Sequence, residues 1–131
     1  MKEEAGMRWA CGGVGAEERT ALASLRPQAN LELLFVTAKR GGYLADVAVA
    51  LYPAGADSPR LQLSAQGPVC LVFAPAGRYR IEASLRGVKR IAQAAAGGAS
   101  GNPVRVVFGF PEESWDGIRA SDEEKQQARA P

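Results

Sequence analysis

The sequence contains no histidine and only two cysteines. Without histidine there is no imidazole zinc ligand, no Ser-His-Asp or Cys-His nucleophile pair, and no imidazole proton shuttle. Two cysteines without histidine are too few for a structural metal site. No apolar run reaches the length of about 20 residues that spans a bilayer. Three of the first six residues are charged, and no apolar stretch follows them, so the opening of the chain does not read as a signal peptide. A strong charge excess is also missing. Sixteen Lys and Arg against fourteen Asp and Glu leave a net charge of +2, which implies no polyanionic partner.

What is present is a globular composition of 131 residues, 47% of them hydrophobic, enough for one domain with a real core. The charge is unevenly spread. Residues 31–110 hold nine basic and four acidic side chains, and residues 111–131 hold three and six.

Hydrophobic period divides the chain. Residues 1–15 read as irregular. A helix is expected over 16–25, with Glu17 and Glu18 at the positive end of its dipole and Ala21, Leu22 and Leu25 as an apolar stripe. Pro27 stops it. From Asn30 the period becomes two. Expected strands cover 31–36, 43–52, 60–65, 69–73, 78–86, 88–94 and 104–110, separated by Gly, Pro, Asp and Ser turns. On the fourth strand, Val69, Leu71 and Phe73 are expected to face the core. The fifth is the clearest half-buried strand: Tyr79, Ile81, Ala83 and Leu85 alternate with polar residues. Residues 111–131 lack an apolar face and read as a solvated acidic tail. The division is therefore an N-terminal segment over 1–29, a sandwich over 30–110, and the tail. The expected fold is all-β: a seven-stranded Greek-key sandwich with one short helix.

Phe73-Ala74-Pro75-Ala76-Gly77-Arg78-Tyr79-Arg80-Ile81-Glu82-Ala83, with Gly87 after it, resembles the P-x-G-x-Y-x-[VI]-x-A…G segment of carboxypeptidase regulatory-like domains. Residues 43–49 resemble the strand of those domains written G-x-x-L-x-x-V-x-V. The resemblance implies a transthyretin-like (prealbumin-like) sandwich over roughly residues 31–110, and it says little about function. Residues 12–19 also look like the segment that precedes such a domain in small secreted bacterial proteins. That likeness implies a periplasmic or secreted protein, trimmed of its signal peptide; a cytoplasmic location stays open. Within the same superfamily, the hydroxyisourate hydrolases depend on histidines that this chain lacks.

Candidate functional residues are few. Cys11 and Cys70 read either as a disulfide tying the N-terminal segment to the sandwich or as two free thiols. Cys70, opposite Val69, Leu71 and Phe73 in the alternation, is expected to point out of the core. Arg78, Arg80, Arg86, Lys89, Arg90 and Arg105 lie on the last three strands. By the alternation Arg78, Arg80 and Arg86 share one face, which reads as a basic stripe for anionic groups or as an ordinary solvated face. Trp9 and Trp115 flank the sandwich and read as packing residues or stacking platforms. Glu32 and Asp46 are the carboxylates of the first two strands, with no spacing that pairs them. The glycine clusters at 12–15 and 97–101 lack the context of phosphate loops.

The expected function is a non-enzymatic binding or assembly module of the cell envelope, without a cofactor. Its partner is a protein or a small anionic or carbohydrate ligand. Neither nucleic acid nor a membrane span is expected, and edge pairing into a homodimer is. Two alternatives are an anion-binding module using the basic face, and a hydrolase built on Asp46, Tyr43 or Ser84. The hydrolase has no visible base to activate a hydroxyl.

Overall fold

The computed structural model describes residues 2–37, 44, 46–97 and 103–111. Among them are nine strands: β1 Lys2–Glu4, β2 Met7–Gly12, β3 Leu31–Thr37, β4 Val47–Pro53, β5 Leu61–Ala65, β6 Val69–Phe73, β7 Gly77–Leu85, β8 Val88–Ala96 and β9 Val104–Phe110. One helix, α1 Ala16–Leu25, separates β2 from β3. A 3-10 turn at Arg26–Gln28 follows it and carries Pro27 in its first turn. No helix among the described residues is long and apolar enough to cross a membrane.

The strands form two sheets, β1-β2-β6-β3-β9 and β5-β4-β7-β8. Pairing is antiparallel except for β3 and β9, which run parallel. The sheets enclose one apolar core in which Leu31, Leu33 and Phe35 meet Val47, Val49, Leu51, Tyr79 and Ile81. The Phe35 and Phe108 rings stack at 5.7 Å. Tyr79 fills the core below the β6–β7 turn, and its hydroxyl donates to the Pro75 carbonyl at 2.7 Å. Asn30 ties three strand ends together. Its Nδ2 donates to the carbonyls of Ala74 and Gly97, and its Oδ1 accepts from the Ala74 N–H.

Three expectations are corrected. Residues 1–15 are not irregular, because β1 and β2 form a hairpin that joins the first sheet. Its turn, Ala5–Gly6, has φ of 54° and 80°. Two successive positive values match the type I′ loop that suits the twist of a hairpin. The first sheet therefore draws strands from both sides of residue 30. Second, the strand expected over 43–52 begins at Val47. Asp46 has a φ of 64°, and its N–H donates to the Ala65 carbonyl at 2.7 Å, which bends the chain into the strand. Tyr43 and Ala45 lie outside the described residues.

Third, β6 faces the other way. Cys70 and Val72 point into the core between the sheets. Leu71 and Phe73 point outward and are covered by Leu22, Leu25 and Ala29. The helix therefore packs on an outer sheet face, as expected, but Ala21 stays exposed. A strand that is buried on both faces leaves no polar side for alternation to detect.

Candidate functional site

The six basic candidates do not form one surface. Arg78 and Arg80 share the outer face of the second sheet, but Arg80 lies over the Tyr52 ring at 4.0 Å and pairs with Glu82 at 3.1 Å. Lys89 pairs with the same carboxylate at 3.3 Å. Burial alone would raise the Glu82 pKa, but hydrogen bonds and charge from Lys89 and Arg80 hold it below the usual value. Arg86 sits in the β7–β8 turn with a φ of 49°. Arg90 shares a face with its core-facing partner Ala83, and its Nε–H donates to the Gly109 carbonyl on β9. Arg105 belongs to the other sheet, where it and Arg26 bind Glu32. The basic face is thus divided between two sheets and largely spent on internal partners.

Glu32 is 6% exposed, on the outer face of the first sheet. The guanidiniums of Arg26 and Arg105 reach its Oε1 at 3.0 and 3.2 Å. Burial would raise its pKa; the two arginines outweigh that and hold it below the ordinary 4.5. The clamp fastens the end of the helical segment and β9 to β3. Asp46, at the start of a strand in the other sheet, is not brought to it. Ser84 faces outward opposite Ala48 and Lys89. Among the described residues, no group of three His, Cys, Asp or Glu is placed to hold a metal.

Cys11 and Cys70 form a disulfide. They are direct partners across β2 and β6, with Cα atoms 4.0 Å apart. That closeness marks a non-hydrogen-bonded antiparallel pair, in which side chains approach most closely. Cys70 is buried and Cys11 is half-buried.

Cys11 opens onto a cleft of about 620 Å³ at the seam between the sheets. Lys2, Trp9, Ala10 and Cys11 line one side; Asp46, Leu63, Ser64 and Gln66 line the other. Trp9 forms a wall and is itself only 8% exposed, so it packs the hairpin rather than offering a free ring. Trp115 lies outside the described residues. Toward the hairpin turn, Arg60 Nε donates to the Ala5 carbonyl at 3.0 Å and closes the seam. Sequence reasoning missed Lys2, Ser64 and Gln66 as cleft residues. Lys2 lies on β1, Ser64 on β5 and Gln66 just after it; β1 and β5 are neighbours neither in sequence nor by pairing, so no local pattern marks the cleft.

No family model, curated protein or solved structure matches this chain.

Proposed function

We propose that this chain is a non-enzymatic binding or assembly module of the bacterial cell envelope, with a transthyretin-like Greek-key core carrying an added N-terminal hairpin. The disulfide carries the reading, because such bonds persist in oxidising compartments and are rare in the cytosol. The Tyr79–Pro75 contact supports the core assignment, since it gives the Pro-x-Gly-x-Tyr segment a structural reason. Two features support the non-enzymatic part. The chain has no histidine. The carboxylates of Glu32 and Glu82 are already engaged by cations.

Fractionation of the source cells tests the proposal. An antibody to this chain should detect it in the envelope or periplasmic fraction, and alkylation under non-reducing, denaturing conditions should find no free thiol. A cytosolic protein with both thiols alkylatable overturns it.

A further inference from the structure

Several buried polar side chains in this fold have partners. The Tyr79 hydroxyl donates to Pro75, the Asn30 amide bonds Ala74 and Gly97, and Glu32 is held by two arginines. Trp9 departs from this pattern. It is 8% exposed, and its indole N–H has no acceptor among the described residues. A buried indole N–H ordinarily finds a partner, and one that does not calls for a reason. Trp9 is a wall of the cleft of about 620 Å³, whose size is that of small-molecule sites.

The rest of the cleft is polarised. Lys2 stands opposite Trp9 in the β1–β2 register, and directly paired residues put their side chains on one face of a sheet. An ammonium and an indole N–H, both donors, therefore share the hairpin wall. The facing wall carries Asp46, Ser64 and Gln66. The Asp46 N–H donates to the Ala65 carbonyl, which fixes Asp46 beside Gln66 at the end of the β4–β5 ladder. Among the described residues, none of the Lys2, Asp46, Ser64 and Gln66 side chains has a hydrogen bond or ion pair. Lys2 and Asp46 thus carry opposite charges on opposite walls without meeting. Leu63 adds an apolar surface.

We propose that this cleft binds a small zwitterion, a molecule with a carboxylate and an ammonium joined by a short apolar stem. The carboxylate accepts from the Trp9 indole N–H and the Lys2 ammonium. The ligand ammonium donates to the Asp46 carboxylate, with Ser64 and Gln66 beside it, and the stem lies on Leu63. A ligand with only one charge leaves one wall unmatched, so the two walls together select for both. The inference rests on the binding-module reading and names its ligand class.

The test follows the Trp9 indole N–H cross-peak of the oxidised chain by NMR, assigned with Trp115→Phe. The probes are L-leucine, γ-aminobutyrate and ε-aminocaproate, which space the two charges differently. Each is compared with the amine and the carboxylate that keep one of its charges. At least one zwitterion should shift the peak saturably in the millimolar range or below. Its single-charge analogues should bind about threefold or more weakly, and Lys2→Gln and Asp46→Asn should each weaken the zwitterion by about as much. Both positions are exposed, so the variants keep the fold. The proposal is overturned if no zwitterion shifts the peak, if a single-charge analogue binds equally well, or if either variant binds like the wild type. An envelope-located protein that fails this panel loses the site and keeps the broader function.

Discussion

Arg90 on β8 donates its Nε–H to the carbonyl oxygen of Gly109 on β9, at 2.9 Å, and so bridges the two sheets at one rim of the sandwich. The Val104 N–H donates to Asn30 beside β3. Backbone groups alternate along a strand, so Arg105, Val107 and Gly109 turn theirs away from β3. Arg90 therefore satisfies an edge carbonyl that would otherwise template another strand.

Arg90→Ala should lower stability by about 1–2 kcal/mol, the range of a hydrogen bond from a charged donor at a partly exposed site. Arg78→Ala should change it by less than about 0.5 kcal/mol, as expected for an exposed position. Urea midpoints of the two variants compare them directly. Equal losses would refute the bridging role.

The Glu32 clamp sets an acid limb. The folded-state pKa is depressed below 4.5, so the stability it contributes is fully present above the unfolded value and is lost as pH falls below about 4.5 through the depressed value. Glu32→Gln should cost about 1–3 kcal/mol near neutral pH and less at low pH, because the protonated wild type has already lost the same pairing. Unfolding measured from pH 7 down to pH 2 should show the two proteins converging.

Gly67 has no room for a side chain. A Cβ at this position would clash with the carbonyl oxygen of Gly12, which is backbone on the neighbouring strand. Gly67→Ala should push β2 from β6 and cost about 2–4 kcal/mol. Gly55→Ser is a contrasting turn substitution: its φ is 83° but its surroundings are open, so the cost should be that of the backbone alone, about 1 kcal/mol. Thermal unfolding ranks the two.

The disulfide joins residues 59 apart in sequence. In the chain-entropy model, such a loop contributes about 4 kcal/mol. Cys11→Ser with Cys70→Ser should lower the urea midpoint accordingly and leave the m-value of a folded domain recognisable. A double variant as stable as the oxidised protein would show that the crosslink is not a stabilising element.

Several features were legible in the sequence because they are local. Glu17 and Glu18 at a helix start, Pro27 at its end, and the strict alternation from Tyr79 to Leu85 each follow from a few neighbouring residues. The possibility of a bond between Cys11 and Cys70 was also visible, as was an outer face needed to receive the helix. The β1–β2 hairpin was not. Lys2, Glu3 and Glu4 are all exposed, so they carry no apolar alternation, and Ala5 is an uncommon residue for a positive φ.

By itself, the sequence determined that the chain forms a β-rich domain with one short helix, and that it lacks imidazole chemistry. Those conclusions need only residue identity and period. The tertiary structure decided which face of β6 meets the core, which cations are spent on Glu32 and Glu82, and where Cys11 opens onto a cleft. The physical reason is that each of these depends on which strands become neighbours, and strand neighbours are set by burial summed over both sheets rather than by any local stretch.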